Sequence, residues 1–105
     1  MTESYKKLGQ GQLASTTGVL YTVPGATSAI VKRIVLVNND TEALTAELYH
    51  DGTTEATRIL PPVSIDAGGW AEFDGAICMD AADTLQGKGE QATEITYTIY
   101  GLEIS

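Results

Sequence analysis

The sequence predicts an all-β protein: a two-sheet antiparallel β-sandwich, jelly-roll or immunoglobulin-like, with an extended N-terminal arm. Val, Ile, Thr and Tyr are frequent, whereas amphipathic stretches with helical spacing are scarce. Gly, Pro, Asn and Asp break the chain into short apolar segments with turns about every 8–12 residues, the spacing of a sandwich or small barrel. We therefore expect roughly seven to nine short strands and no helix longer than one turn.

The segment 29–38, AIVKRIVLVN, contains the longest β-branched run of the chain. Residues 34–37 are apolar in succession, so both faces of the strand are expected to be covered, as in a central strand. Lys32 and Arg33 are adjacent, and in a regular strand one of them would point inward. A β-bulge at this point would leave both outside, with Val31 and Ile34 inside. We predict that bulge.

A second strand is predicted after the turn at 38–42. It covers residues 44–49, in which apolar and polar positions alternate and give one buried and one wet face. We expect the two strands to form a hairpin at the nucleus of the domain. The predicted buried positions of this strand are Leu44, Ala46 and Leu48, its predicted wet positions are Thr45, Glu47 and Tyr49, and Leu36, Leu48 and Ile99 are expected in the core.

Turn residues delimit the remaining strands. Gly101 separates two apolar parities in the last strand, so a bulge or kink is expected there. Paired prolines lack N–H donors and indicate a sheet edge or crossover. The predicted segments are 19–23 with Val19, Tyr21 and Val23 on one face, 57–60 ending at Pro61-Pro62, 70–73, 77–79 after a turn at Asp74-Gly75, and 94–104, with a turn at 51–54 and a loop at 87–91.

Composition limits the classes of partner. The 105 residues suit one domain, and the formal net charge is −8. Phosphate would repel such a chain, so neither nucleic acid nor an anionic membrane is expected as a partner. The acidity either suits docking on a basic protein surface or serves solubility alone. No run approaches the length of a membrane-spanning helix.

Reactive side chains are few. Cys78 is the single cysteine and lies between two apolar residues, so we expect a small, buried or half-buried hydrophobe. His50 is the single histidine and stands beside a predicted turn, which makes a Cys–His catalytic pair improbable. One His and one Cys cannot supply a zinc site. We therefore predict no catalytic residue, no bound metal and no cofactor, and both residues should be dispensable for function.

The carboxylates and aromatic residues leave one alternative open. Turn carboxylates such as Asp66, Asp74, Asp80 and Asp83 have local structural uses, and no calcium-loop spacing occurs. A carbohydrate-binding module is the second function that the sequence allows, because small β-sandwiches bind sugars through exposed aromatic side chains. The residues available for that role are Trp70, Tyr49 and Tyr100.

Residues 1–18 are predicted to be the extended arm, and residues 19–105 the sandwich domain. The arm contains Gly9 and Gly11, lacks strand periodicity and carries a net charge of +1. A brief pairing as an edge strand and a frayed terminus are the alternatives. We expect the arm to lie outside the folding unit, so that removing residues 1–13 leaves the melting temperature nearly unchanged. It would dock on a neighbouring protein or an adjacent copy through five interface residues: Tyr5, Lys6, Lys7, Leu8 and Leu13.

Several motifs resemble small virion proteins of tailed bacteriophages. These are LYTVP at 20–24, AIVKRI at 29–34 and VNN at 37–39, then MDAADTL at 79–85, similar to an L-x-A-G-D-T-L turn, and IYGLEI at 99–104, similar to a closing G-x-E-I. Ala82 stands where Gly is usual, so the turn geometry is expected to differ. The resemblance covers residues 19–104, and its motifs are strand and turn signals.

The resemblance implies a structural part of a virion without an active site. The expected role is a capsid decoration (cement) protein, assembled in the host cytoplasm, whose partner is the major capsid protein or another virion protein. A tail or fibre-base component is the alternative. Such building blocks assemble in symmetric copies, and a homo-oligomer is expected, with a trimer favoured.

Overall fold

The computed structural model describes residues 3–50 and 58–104, and the regular elements in those ranges are all β-strands. Two four-stranded antiparallel sheets pack as a sandwich, which confirms the predicted fold class. No helix in the described ranges is long and apolar enough to cross a membrane. The strands are β1 (Glu3–Gln12), β2 (Gly18–Thr22), β3 (Ser28–Asn38), β4 (Leu44–His50), β5 (Arg58–Ile65), β6 (Trp70–Met79), β7 (Thr84–Gly89) and β8 (Ile95–Ile104).

The strand order is that of a jelly roll. The first sheet has the order β1-β8-β3-β6 and the second sheet the order β2-β7-β4-β5. β1 pairs with β8, β2 with β7, β3 with β6, and β4 with β5. The two halves of the chain therefore pair like one long hairpin that is folded over into two sheets, as in eight-stranded jelly rolls.

The core lies between the two sheets. Leu36, Leu48 and Ile99 are at most 1% exposed, as predicted from strand parity. Burial of this apolar area is the main favourable term for folding. The core contains Leu13, Tyr21, Val23, Ala29, Val31, Ile34, Leu36, Leu44, Ala46, Leu48, Ile65, Ile77, Met79, Leu85, Ile95 and Ile99.

The β-bulge predicted in β3 is present. The register of β3 shifts between Val31 and Arg33 against both of its neighbours, β6 and β8. Val31 and Ile34 are completely buried, and Arg33 is exposed. Against β8 the extra residue is Lys32, whereas against β6 the extra residue is in β6, where Gly75 and Ala76 oppose Lys32. Both adjacent cations stay out of the core.

The bulge or kink predicted at Gly101 is wrong, because β8 itself has no extra residue there. The neighbouring strands carry the extra residues: β3 bulges at Lys32, between the partners of Gly101 and Tyr100, and β1 bulges at Leu8, between the partners of Tyr100 and Ile99. Gly101 is buried, and an added Cβ there would meet the Ile30 carbonyl oxygen and approach the Leu8 side chain at 3.0 Å. The parity change at Gly101 therefore does not bring Leu102 into the core, and it stays half-buried.

The predicted hairpin between β3 and β4 is wrong, because these strands lie in different sheets. Asn38, at the end of β3, is completely buried at the crossover. Its Nδ2 donates to the carbonyl oxygens of Glu42 and Ile65, both at 2.9 Å, and its Oδ1 accepts from the Asp40 amide at 2.9 Å. The turn residues at 38–40 thus carry the chain from one sheet to the other.

Two predicted side-chain environments need correction. Val19 is 55% exposed instead of sharing a buried face with Tyr21, because the register of β2 shifts between them and turns Leu20 toward the core. Tyr49 shares the outer face of its sheet with Glu47 but is only 3% exposed, and its hydroxyl donates to the Glu47 carboxylate. Val19 is therefore exposed on the outer face, whereas Tyr49 is buried although it lies on the outer face.

Three predicted boundaries also differ. β5 continues through Pro61-Pro62 as an edge strand, which confirms the edge placement but not the stop. β6 is one strand, since Asp74-Gly75 lies within it and not in a turn. Residues 87–89 belong to β7, where a Cβ on Gly87 would approach the Glu47 carbonyl oxygen at 2.9 Å. The predicted turn at 51–54 and the first residue of the predicted strand at 57–60 lie outside the described residues.

The N-terminal segment predicted as an arm is the edge strand β1. It pairs with β8 from Glu3–Ile104 to Gln12–Thr96, and Leu13 beyond it is completely buried. This pairing agrees with the edge-strand alternative. The division of the chain into residues 1–18 and 19–105 stays a prediction, and the pairing argues against it.

Candidate interaction surfaces

The outer face of the first sheet carries an apolar row that crosses all four strands. Tyr5 on β1 is opposite Leu102 on β8, which is opposite Ile30 on β3, which is opposite Cys78 on β6. Opposed residues in an antiparallel pair point to the same face. Tyr5 is 65% exposed, Cys78 is exposed, and the two central residues are half-buried. The row is thus accessible along its length.

Further apolar side chains extend this row into a patch on the same face. Trp70 on β6 is opposite Val37 on β3 and is 62% exposed. Tyr100 on β8 is 37% exposed and lies between the row of Cys78 and the row of Trp70. We call the set the apolar face: Tyr5, Ile30, Val35, Val37, Trp70, Cys78, Tyr100 and Leu102.

Charged side chains lie in the middle of the apolar face and on both of its edge strands. Arg33 is ion-paired with Glu72, and its Nε lies 3.9 Å from Asp74 Oδ1. Lys7, on the β1 edge, is opposite Tyr100 and donates to Gln10 at 3.0 Å. Exposed apolar area beside a few fixed charges is the composition of a protein–protein contact surface.

The second sheet presents a polar outer face. A shallow groove of about 240 Å³ is bounded by Thr45, Glu47, Lys88 and Glu90 together with Ser15 and Gly89. The Glu90 carboxylate accepts from the Thr45 amide at 3.0 Å, and Lys88 Nζ lies 3.8 Å from Glu47. The protein therefore has one apolar and one polar face, and its groove and its exposed aromatic residues lie on opposite sides.

The structure separates the five predicted interface residues. Tyr5 and Lys7 are exposed on the first sheet's outer face, and Leu8 is half-buried against the core. Lys6 is held by an ion pair with Glu103 at 2.6 Å. Leu13 lies in the core and is not accessible to a partner while β1 is in place.

A three-residue cluster fastens β1 to both sheets. The Glu103 carboxylate on β8 accepts from the buried Tyr21 hydroxyl on β2 at 2.6 Å and pairs with Lys6 on β1. These two donors, Lys6 first, lower the pKa of Glu103. Burial, reinforced by Glu103, raises the pKa of the Tyr21 hydroxyl above its ordinary value, so it stays a donor. The cluster therefore stabilises the position of the β1 edge.

The reactive residues do not meet. Cys78 is exposed on the outer face of the first sheet, so the expectation of a buried or half-buried thiol is wrong. His50 ends β4 in the second sheet, and its Nε2 lies 3.7 Å from Asp83 Oδ2. No group of three potential metal ligands occurs among the residues that the structure describes.

Sequence reasoning missed most of the apolar face. It identified Trp70 and Tyr100 as exposed aromatic candidates, whereas Tyr49, its third candidate, is buried. Ile30, Cys78 and Leu102 were not proposed as surface residues. The available signal was that β3 and β8 carry apolar residues on both parities, which means that their second face is apolar too.

Comparison with known proteins identifies the fold. No family model and no curated protein matches the sequence. Among solved structures, similar chains include one from the capsid of Helicobacter pylori bacteriophage KHP30 (TM-score 0.58, 10% identity, 100% of this chain and 94% of that chain covered). Another is from Bacillus endospore appendages, described as disulfide-linked pili (0.56, 19%, 99% and 88%). A third is the Drosophila NLP core, described in terms of pentamer formation and histone binding (0.55, 16%, 95% and 100%). At these identities the likeness establishes the fold alone.

Proposed function

We propose that this chain is a structural protein of a bacteriophage virion, a capsid decoration protein that binds the major capsid protein or another virion protein through its apolar face. The observation that carries the proposal is that face: an apolar row crosses a whole sheet of a protein whose net charge is −8. A protein this acidic gains solubility from charge, so an uncharged row of this length favours a contact role.

Two further observations support a virion role. The strand and turn motifs of residues 19–104 resemble those of small phage virion proteins. The jelly-roll fold is also found in the capsid structure of bacteriophage KHP30. A homo-oligomeric state fits the same proposal, because virion parts occupy symmetric positions. No observation favours the carbohydrate-binding alternative, since the groove and the exposed aromatic side chains lie on opposite faces.

The test is a quantitative mass-spectrometry inventory of purified particles. A decoration protein should be present in many tens of copies per particle, because an icosahedral head repeats each site that often. A few copies per particle would assign the chain to the tail or fibre base instead. Absence from particles that contain the other virion proteins would contradict the proposal.

A binding experiment assigns the surface. Purified protein is added to particles that lack this chain, and bound protein is measured after sedimentation. Leu102→Lys places a charge in the centre of the apolar face and should abolish binding. Gln86→Lys adds the same charge on the second sheet and should bind like wild type. Circular dichroism of both variants checks that the fold is retained.

A further inference from the structure

The two edges of the first sheet, β1 and β6, are long and opposite in charge. β1 carries Lys6 and Lys7 against Glu3, whereas β6 carries Glu72 and Asp74 without a cation. Each strand has ten residues. In the described ranges, no backbone–backbone hydrogen bond outside the sheet involves either strand. Each edge therefore offers a row of N–H and C=O groups to another strand.

The edges of the second sheet are less suitable for pairing. β2 has only five residues. β5 contains Pro61 and Pro62, which have no N–H to donate. Short strands and edge prolines are devices that prevent edge-to-edge association. The first sheet lacks both of these devices.

Strand direction makes the two edges of the first sheet compatible. All neighbours in this sheet are antiparallel, so β1 and β6 run in opposite directions. A second copy placed beside β6 in the same orientation presents its β1 antiparallel to β6. The alternation of directions then continues from one copy to the next. Because the contact joins two different edges, it repeats head to tail and closes into a ring where the rotation allows.

We propose that copies of this chain associate head to tail, with the β6 edge of one copy paired to the β1 edge of the next. This inference does not depend on a virion role, because it follows from the two strand edges and is tested on purified protein. It deepens the expected homo-oligomer by naming the two surfaces that join. It also leaves the centre of the apolar face, at Ile30 and Leu102, free for another partner.

The rows of the sheet give the register of the joint. One row runs from Tyr5 through Leu102 and Ile30 to Cys78, so its continuation places Cys78 beside Tyr5 of the next copy. The charged row runs from Lys7 through Tyr100 and Arg33 to Asp74 in the same way. Its continuation places Asp74 beside Lys7 of the next copy, with opposite charges opposed.

The irregularities of the two edges lie in adjacent intervals of the sheet. β6 steps over Gly75 and Ala76 just before the row of Asp74 and Lys7, and β1 bulges at Leu8 just after that row. The row of Lys7 and Asp74 therefore lies between the two irregularities. The regular parts of the edges can pair on both sides of this short irregular region.

Disulfide trapping tests the register with the chain's single native cysteine. In the variant Tyr5→Cys, the new thiol should lie beside Cys78 of the neighbouring copy. Within one chain β1 and β6 are three strand spacings apart, about 14 Å, and a disulfide spans at most about 7 Å between Cα atoms. Mild oxidation should therefore give a ladder of linked copies on a non-reducing gel, and its last band reports the number in a closed ring.

Gln12→Cys is the matched control, since Gln12 shares the β1 edge and the outer face but lies in the row of Trp70. It should give no ladder beyond the Cys78-linked dimer that wild type can form. Equal ladders in both variants, or none in Tyr5→Cys, would overturn the proposal. So would a wild-type protein that stays monomeric in light scattering at millimolar concentration.

A charge exchange provides a second measurement. Lys7→Glu should weaken self-association about tenfold, the size expected when an exposed opposite-charge pair becomes a like-charge pair. Lys7→Glu combined with Asp74→Lys should restore it, because the pair is then reversed. Failure of the double variant to recover association, with both variants folded, would contradict the Lys7–Asp74 contact.

Discussion

At the scale of single residues, Ala82 occupies a backbone conformation that suits glycine. Its φ is 71°, in the turn between β6 and β7, so the turn keeps the left-handed geometry despite the alanine. A left-handed non-glycine residue costs about 1–2 kcal/mol, partly offset by the entropy that glycine loses on folding. We therefore expect Ala82→Gly to raise the free energy of unfolding by about 0.5–1 kcal/mol in urea titrations. Ala81→Gly, in the same turn but without positive φ, should lower it.

Asn38 is the buried polar residue on which the crossover between the sheets depends. Its amide donates to the Glu42 carbonyl oxygen within that crossover and to the Ile65 carbonyl oxygen at the end of β5. Asn38→Ala would leave buried carbonyls without a donor, so we expect a loss on the order of 3 kcal/mol in urea unfolding. Asn39→Ala is the matched control: the neighbouring amide is exposed and donates to Thr96 Oγ1 at 2.9 Å, and its loss should cost less than about 1 kcal/mol. Equal losses of stability in Asn38→Ala and Asn39→Ala would contradict a special role of the Asn38 side chain in stabilising the crossover.

Glu103 should make the stability depend on pH. Lys6 and Tyr21 hold its pKa below the unfolded value. A depressed carboxyl pKa stabilises the fold above the unfolded pKa, and this contribution is lost as pH falls through the folded pKa. Between about pH 5 and 3, the stability of Glu103→Gln should therefore fall less steeply than that of wild type. Glu42→Gln, at an exposed position, should follow the wild-type slope.

At the scale of elements, the first strand is the part whose role differs most from expectation. Deleting residues 1–13 removes the pairing of β1 with β8 and empties the core position of Leu13. We expect the melting temperature to fall strongly, in contrast to the nearly unchanged value expected of a free arm. Leu13→Ala alone should cost about 2–5 kcal/mol, which separates core filling from strand pairing. An unchanged melting temperature after the deletion would show that residues 1–13 lie outside the folding unit, as expected of an arm.

Local chemistry predicted the strands better than their partners. β3 and its bulge followed from one apolar run and two adjacent cations, because both effects act within a few residues. The hairpin of β3 with β4 was wrong because the jelly roll pairs distant segments, such as β1 with β8. Strand β1 was predicted only as an alternative to an arm, because Gly9 and Gly11 lie on its inward face, where apolar side chains would have shown the strand period.

The same distinction explains the outcome for the candidate surface. Tyr5 and Trp70 were recognisable singly as exposed aromatic or docking residues. The apolar face was not recognisable, because its central row takes one residue from each of four strands. Each of those residues alone reads as an ordinary strand hydrophobe. Only the register shows that they form one surface.

At the scale of the whole molecule, net charge opposes assembly of the copies. Two copies with charge −8 at a separation of about 25 Å, the molecule's middle dimension, repel each other. Treated as point charges, they repel by about 5 kcal/mol at 0.01 M salt, where the Debye length is about 30 Å, and by about 0.5 kcal/mol at 0.15 M. An exposed pair such as Lys7–Asp74 contributes only about 0.2–1 kcal/mol. The repulsion therefore decides the sign of the salt effect.

We expect self-association to strengthen as salt rises from 0.01 to 0.15 M, because the repulsion between copies falls from about 5 to about 0.5 kcal/mol. Above 0.15 M the association should change little. Sedimentation equilibrium at both salt concentrations measures the shift. The emission of Trp70, the single tryptophan and 62% exposed, should move to shorter wavelength in the same range as the joint covers it. Lys7→Glu increases the net negative charge and should show a larger salt dependence than wild type. Association that weakens with added salt would mean that local ion pairs, rather than the net charge of the copies, control the joint.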